Sequence, residues 1–172
     1  MAFPDINYKG MVDDYLKGNH IIVKNDKRYF LMDEHLFAMP FDREVGINSV
    51  MTAYSNIKHT TWEPNTTELV KSNIKPGMIC IDVGASIGYF TLLLARCVGK
   101  TGKVFSFEPT PNQAPYIREN IKVNGYSDIV KYFEIAAWDK EEEVEMPPGN
   151  KRFKCPAITI DKMLEQEGII NK

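Results

Sequence analysis

Residues 78–90 read MICIDVGASIGYF, and this stretch decides the fold. Its first six residues form an apolar run with one acid near the end, which is typical of a strand buried on both faces of a parallel sheet. The segment IGYFTLLLARCVG that follows predicts a helix closed by Gly99. The stretch therefore predicts a strand, a glycine-containing turn and a helix.

The same alternation of strand and helix continues on both sides of this stretch. A helix with an apolar stripe precedes it, with Asn65 or Thr66 as its cap, and stops at Pro76 and Gly77. The segments GKVFSFE and IVKYFEIAAW predict a second and a third strand, joined by the helix TPNQAPYIRENIKVNG. This order predicts half of a doubly wound α/β sheet with right-handed crossovers.

Two helix starts are predicted from capping residues. Thr110 and Gln113 have the spacing of a capping box, and Pro115 predicts an irregular first turn. Asp161 is expected to cap a last helix, KMLEQE. Between these helices, the residues after Asp139 predict two short strands joined by PPGN.

The N-terminal part has a different pattern. Residues 19–37 predict a β-hairpin around KNDKR, because β-branched and aromatic residues dominate both arms. Residues 40–60 show no sustained periodicity. We therefore expect an N-terminal β-hairpin extension, residues 1–60, followed by an α/β domain, residues 61–172.

The composition limits the classes of function. A net charge of -2 and a pI near 5.9 argue against nucleic acid as the main partner, because such binding needs a basic face. The N-terminus lacks the pattern of a signal peptide, and the longest apolar run is shorter than the ~20 residues of a membrane span. We expect a cytoplasmic protein without a membrane span. The spacing of cysteine and histidine predicts neither a disulfide framework nor a metal site.

The GASIG turn predicts a cofactor site, because ligands of open α/β sheets bind beyond the carboxyl ends of the strands. A dinucleotide loop needs three glycines, G-x-G-x-x-G, but the corresponding positions here are Gly84, Ser86 and Tyr89. S-adenosylmethionine has no phosphate, and Asp82 at the strand end can face its ammonium group. Two alternatives remain: glycines that serve only the turn, and an NAD-linked oxidoreductase.

Glu108 supports a nucleoside ligand. It ends the second strand, where an acid can accept hydrogen bonds from both ribose hydroxyls. Such bonds to a charged group contribute ~1.5–3 kcal/mol each. Ribose binding alone does not separate the two cofactors, so the glycine pattern decides for S-adenosylmethionine.

The segment DVGASIGYFTLLLARCVGKTGKVFSFEPTPNQAPYIRENIKVNG, followed by AAWD and AITIDKML, resembles the FkbM-type class I S-adenosylmethionine-dependent methyltransferases. Those enzymes carry a D-x-G-A-x-x-G-x-x-[ST] loop, a strand ending in F-E-P and a helix ending in N-x-x-x-N-G. The similarity covers about residues 62–164. It implies a Rossmann-like class I methyltransferase sheet and O-methylation of a hydroxyl on a small metabolite or a glycan.

The resemblance also implies a set of cofactor contacts. Glu63 is expected near the methionine end, Pro109 beside the adenine, and Ala137 in the adenine pocket, while Trp138 either lines that pocket or packs in the core. No catalytic base is assigned. The full set of predicted cofactor-binding residues is Glu63, Asp82, Gly84, Ala85, Ser86, Gly88, Tyr89, Glu108, Pro109 and Ala137.

FkbM-type enzymes continue beyond the equivalent of Lys172 into further strands that bear acceptor-binding groups. We therefore expect a chain truncated at its C-terminus, with an incomplete sheet. The alternative function is a non-catalytic module that retains only cofactor binding. An incomplete sheet leaves a central strand edge unpaired, which predicts a homo-oligomer formed through that edge.

Overall fold

The computed structural model describes residues 22–24, 27–32, 35–39, 61–146 and 152–170. Its central sheet contains β4 (Ile79–Val83), β5 (Lys103–Phe107) and β6 (Val130–Phe133), in the order β4-β5-β6. Both pairings are parallel. The predicted alternation of strands and helices around a parallel sheet is confirmed.

Four helices accompany the strands: α1 (Pro64–Asn73), α2 (Tyr89–Val98), α3 (Ala114–Val123) and α4 (Ile160–Gln166). The crossover helices α2 and α3 pack on one face of the sheet, where Leu92, Val104 and Ile117 are fully buried. The other face packs Phe105 and Phe107 against Met163 of α4. This three-layer arrangement is a Rossmann-like class I methyltransferase fold.

The predicted helix caps differ from the observed ones. Glu63, in a left-handed conformation (φ 42°), precedes α1, and Pro64 is the first helical residue, a position that suits proline. The Thr110–Gln113 capping box is wrong, since α3 has no side-chain cap. Pro115 is the second residue of α3, in the first turn, and the irregular start stays a prediction. Asp161 lies inside the first turn of α4, and Thr159 caps that helix by accepting from Lys162 N–H at 3.1 Å.

A second sheet forms where one long third strand was predicted. β6 ends at Phe133, and β7 (Ala136–Ala137) belongs to a separate sheet of order β7-β9-β8. The two short strands predicted after Asp139 are confirmed as the antiparallel pair β8 (Glu142–Met146) and β9 (Phe153–Ile158). The parallel pairing of β7 with β9 joins segments that no local pattern links.

The N-terminal strands form an antiparallel sheet of β1 (Ile22–Lys24), β2 (Lys27–Met32) and β3 (His35–Met39). The predicted hairpin corresponds to β1 and β2. Its second arm was predicted as one strand up to residue 37, but the structure divides it into β2 and the further strand β3. Phe37 of β3 is fully buried in the main core cluster. The division of the chain at residues 60 and 61 stays a prediction.

One edge of the central sheet is apolar. Among the described residues, β4 pairs with β5 alone, and Met78, Ile79 and Val83 are 42%, 48% and 55% exposed. The expected unpaired edge is therefore present in this part of the chain, and the homo-oligomer stays a prediction. No helix in the described ranges has the length and apolar character needed to cross a membrane. The cytoplasmic location stays a prediction.

Candidate functional site

The turn between β4 and α2 has an unusual backbone. Gly84, Ser86 and Gly88 all have positive φ angles, of 79°, 52° and 94°. A Cβ atom at Gly88 would also lie 3.1 Å from Cγ1 of Ile117, so this position favours glycine on two grounds. The amides of Gly84 and Ala85 both donate to the Phe107 carbonyl, at 2.9 and 3.0 Å. The turn is thereby held beside the carboxyl end of β5.

Glu108 is the centre of the polar contacts at this turn. Its buried carboxylate accepts from Ser86 N–H at 2.8 Å through Oε2 and from Thr110 N–H at 2.9 Å through Oε1. The first bond stabilises the left-handed Ser86, a conformation that is uncommon outside glycine. Each carboxylate oxygen has two lone-pair sites, so both oxygens of Glu108 can accept a further hydrogen bond.

Asp82 lies at the end of β4, and two buried hydroxyls support it. Thr91 of α2 donates to Asp82 Oδ2 at 2.5 Å, and the Ser106 hydroxyl lies 2.9 Å from the Thr91 hydroxyl. Burial raises the pKa of the Asp82 carboxyl, the Thr91 hydrogen bond opposes that shift, and the negative charge of Glu108 reinforces it. The crevice between the turn and the carboxyl end of β5 thus holds two acids, and the charge of Glu108 disfavours the charged form of Asp82.

The charge of the crevice fits a cationic ligand with hydroxyl groups. Neither Asp82 nor Glu108 forms an ion pair with a basic residue of the described ranges. Carboxylates that are buried, as Glu108 is, or half-buried, as Asp82 is, are costly without a paired cation. The sulfonium and ammonium groups of S-adenosylmethionine would offset that cost, and its ribose would supply hydroxyl donors. The residues present therefore fit this cofactor.

A cavity opens beside the turn. Its volume is about 140 Å³, which is less than the roughly 300–1,000 Å³ of sites that enclose a whole small molecule. It can enclose only one end of a cofactor of this size. The lining residues are Trp62, Glu63, Asp82, Gly84, Ala85, Ser86, Ile87, Tyr89 and Phe90.

The structure brings most of the predicted site residues together. Glu63, Asp82, Gly84, Ala85, Ser86 and Tyr89 line the cavity, and Glu108 adjoins it through its bond to Ser86. Gly88 lies behind the turn as the residue that precedes α2. Pro109 follows Glu108 directly. Ala137 lies in β7 and packs with the cluster of Phe105 and Phe107, apart from the cavity lining.

Several site residues were missed in the sequence. Trp62, Ile87 and Phe90 also line the cavity, and each is adjacent to a predicted residue, which is the signal that could have found them. Thr91, nine positions after Asp82, occupies the [ST] position of the loop pattern, but the sequence does not show what its hydroxyl contacts. Trp138 is 46% exposed, so its predicted core role is wrong, while the adenine role stays a prediction.

A family comparison agrees with this geometry. Residues 43–147, more than half of the chain, match the model of the TRM5/TYW2 methyltransferase domain. The chain belongs to this family. Its class is therefore that of the class I S-adenosylmethionine-dependent methyltransferases, and the FkbM-type resemblance stays a prediction. The predicted cofactor, S-adenosylmethionine, is confirmed for the TRM5/TYW2 domain.

Individual relatives match over shorter stretches. The chain is 42% identical over 57 residues to the protein-L-isoaspartate O-methyltransferase of Aeropyrum pernix, covering 33% of this chain and 22% of that protein. It is 29% identical over 83 residues to the tRNA (adenine(57)-N(1)/adenine(58)-N(1))-methyltransferase of Methanocaldococcus jannaschii, covering 47% of this chain and 29% of that protein. The chain thus spans less than a third of the length of these curated relatives.

Among solved structures, this chain is similar to the P. horikoshii TYW2 structure in complex with MeSAdo. The TM-score is 0.47 at 14% identity, over 76% of this chain and 48% of that one.

Proposed function

We propose that this domain of the TRM5/TYW2 family binds S-adenosylmethionine between the turn of residues 84–88 and the end of β5, and that it forms the cofactor-binding part of an O-methyltransferase. The observation that carries the proposal is the environment of Glu108. This buried carboxylate has two backbone donors, no paired cation in the described ranges and lone pairs that remain available. Two ribose hydroxyls would complete its hydrogen bonding.

The other site residues take roles that follow from their positions. Asp82 would face the ammonium group, and Glu63, exposed at the cavity, would lie near the methionine end. Pro109 and Ala137 are proposed beside the adenine. The turn residues Ala85, Ser86, Gly88 and Tyr89 would contact the cofactor mainly through backbone, because Tyr89 is only 4% exposed and its hydroxyl lies 3.0 Å from that of Thr67.

The chemistry requires orientation more than proton transfer. When bound, S-adenosylmethionine supplies a methyl group activated by its positive sulfur. Residues that hold reactants in line can contribute ~7–11 kcal/mol of the barrier. Trp62 and Phe90 line the cavity and would exclude water, and the negative charges of Asp82 and Glu108 favour a cationic ligand.

The acceptor class rests on two kinds of support. The FkbM-type resemblance favours a hydroxyl of a small metabolite or a glycan, and the Aeropyrum pernix relative is named as an O-methyltransferase acting on protein isoaspartate. Both indicate an oxygen acceptor. The charge balance of the chain disfavours nucleic acid, whereas another relative is named for tRNA methylation. The acceptor test therefore needs a tRNA arm.

Cofactor binding is tested by calorimetry and thermal shift with S-adenosylhomocysteine and with NAD. A ligand at 100 times its Kd stabilises the folded state by ~2.7 kcal/mol. We expect this shift with S-adenosylhomocysteine and none with NAD. A shift with NAD alone, or with neither ligand, would contradict the proposal.

Turnover is tested by methyl transfer from labelled S-adenosylmethionine to three sets of acceptors: a panel of hydroxyl metabolites and glycans, an isoaspartyl peptide and tRNA. We expect labelled product in an oxygen-acceptor arm. Label on a base nitrogen of tRNA alone would overturn the oxygen acceptor. Binding of S-adenosylhomocysteine without transfer in any arm would favour the non-catalytic module.

A further inference from the structure

The side chain of Asn120, on α3, connects two distant parts of the chain. It is fully buried; its Oδ1 accepts from the N–H of Ala38 in β3 at 2.6 Å, and its Nδ2 donates to the carbonyl of Ile87 in the turn at 2.8 Å. Because one partner can only donate and the other can only accept, the amide has a single consistent orientation. Asn120 therefore bridges the N-terminal sheet and the candidate cofactor site.

Asn124, one helical turn later, forms a similar clamp without reaching the turn. Its Oδ1 accepts from Leu36 N–H at 2.9 Å, and its Nδ2 donates to the Leu36 carbonyl at 2.7 Å. Four helical residues span about 6 Å and two strand residues about 6.6 Å, so the two asparagines match alternate residues of β3. Both satisfy backbone groups on the edge of β3 that pairs with no strand of the described ranges, but only Asn120 also binds residue 87.

The contact with Ile87 falls at a demanding point of the turn. The Ile87 carbonyl lies between Ser86 and Gly88, both of which have positive φ angles. Glu108 holds the Ser86 N–H on one side, and Asn120 holds the Ile87 carbonyl on the other. Two side chains from different parts of the chain thus fix the two peptide groups that flank the peptide between Ser86 and Ile87.

A second contact from β3 supports the same region. The fully buried ring of Phe37 stacks on that of Tyr89, the first residue of α2, with centroids 6.0 Å apart and an interplanar angle of 20°. Strand β3 therefore touches both ends of the segment 87–89, through Asn120 at one end and through Phe37 at the other. This arrangement provides a physical path from the N-terminal sheet to the turn.

We propose that Asn120 is a positioning residue for the cofactor, and that through it the N-terminal sheet contributes to cofactor affinity. The inference rests on the proposed function, because it assumes that the turn binds S-adenosylmethionine. A turn whose Ile87 carbonyl lacks its donor would sample other peptide orientations, and the bound geometry would be only one of them. Asn120 orders the turn before the ligand binds, and so reduces the conformational entropy that binding would otherwise cost.

The chain offers a matched pair of variants, Asn120→Ala and Asn124→Ala. Both remove an amide that clamps β3, buried at Asn120 and half-buried at Asn124, so both are expected to lower the melting temperature. The Kd for S-adenosylhomocysteine, measured by calorimetry where each variant is fully folded, is expected to rise about tenfold in N120A and to stay unchanged in N124A. Equal Kd values in the two variants would overturn the inference. If the wild-type chain does not bind the ligand, the proposed function fails instead.

A measurement on the wild-type chain covers the case in which N120A does not fold. The amides of Ala38 and Leu36 donate to Asn120 and Asn124 respectively, so they form an internal comparison. Saturation with S-adenosylhomocysteine is expected to slow hydrogen exchange at Ala38 several-fold more than at Leu36. Equal slowing at the two amides, or no slowing, would overturn the inference.

Discussion

The acids of the crevice and the acids of the β8–β9 pair lie in opposite environments. Along β8 and the residue before it, four exposed glutamates each face a basic side chain, with N–O distances from 3.0 to 3.9 Å: Glu141 with Lys162, Glu142 with Lys140, Glu143 with Lys154, and Glu145 with Arg152. In the crevice, Asp82 and Glu108 have no such partner among the described residues. Exposed pairs contribute at most about 1 kcal/mol, whereas acids that are buried, as Glu108 is, or half-buried, as Asp82 is, cost stability when no cation pairs with them. The costly acids are the better candidates for function.

The two regions also differ at their strand edges. The edge strand β8 presents charged side chains, which discourage pairing with another chain, whereas the edge strand β4 presents Ile79 and Val83. The polar crevice adjoins the carboxyl end of the apolar strand. Ligand binding and association are thus expected to respond to different substitutions, and the following predictions separate them in order of their effect on cofactor affinity.

The largest effect is expected for Glu108→Gln. The amide keeps the size of the side chain but places an NH₂ group against one of two backbone N–H donors. With the charge-assisted bonds to two ribose hydroxyls lost, at ~1.5–3 kcal/mol each, the Kd for S-adenosylhomocysteine should rise about 100-fold or more. Calorimetry checks this. Glu143→Gln, the same change in an exposed pair, is the control, and equal affinities in the two variants would contradict the assignment.

Asp82→Asn is expected to weaken cofactor binding about tenfold while stabilising the free protein. The pKa of Asp82 is raised, so the ionised side chain destabilises the folded state at neutral pH. As the pH falls through the raised pKa toward the ordinary value near 3.9, Asp82 takes up its proton and the cost disappears. Thermal melts should show the variant as the more stable protein at neutral pH and no difference at low pH. A less stable variant at neutral pH would refute this.

A smaller effect on affinity is expected for Thr91→Val, which acts through Asp82. The substitution removes the donor to Asp82 and leaves the buried Ser106 hydroxyl without this partner. We expect a loss of ~1–3 kcal/mol in unfolding free energy and a few-fold rise in Kd. Thr91→Ser retains the hydroxyl, so its unfolding free energy and its Kd should stay close to the wild-type values. Denaturant titration and calorimetry check the pair, and a serine variant as impaired as the valine variant would argue against the hydroxyl.

No change in cofactor affinity is expected for Ile79→Lys, which alters the exposed edge of β4 at the end away from the crevice. A lysine on an edge strand disfavours pairing with another chain. Light scattering should show self-association of the wild-type chain and less of it in the variant. A monodisperse wild-type monomer would contradict the predicted association through this edge.

The residues around the turn show which features the local sequence pattern can predict. Asp82, Gly84 and Glu108 were identified from their places at strand ends and in a turn, because a buried strand and a following helix have distinct periodicities. The cap of α4 was misplaced from Thr159 to Asp161, since both residue types can cap and only the backbone angles decide. Element types were predictable, and their exact starts were not.

The contacts that join distant segments could not be predicted in this way. The bond from Asn120 to Ala38 spans 82 residues, and that from Thr91 to Ser106 links a helix to the next strand. The division of the predicted third strand into β6 and β7 likewise depends on β9, a later segment that pairs with β7. The residues next to a given position in the sequence do not show which distant residues it will contact.

The amino-acid sequence by itself determined the strand, turn and helix around residue 84 and the acids at the ends of β4 and β5. The spacing of apolar residues and the position of a glycine favour a local structure within a few residues, so these features need no distant partner. Only the tertiary structure decided that these acids lack basic partners in the described ranges, and that an amide on α3 ties the N-terminal sheet to the turn. Those properties depend on which distant groups pack together, and packing is set by the whole core.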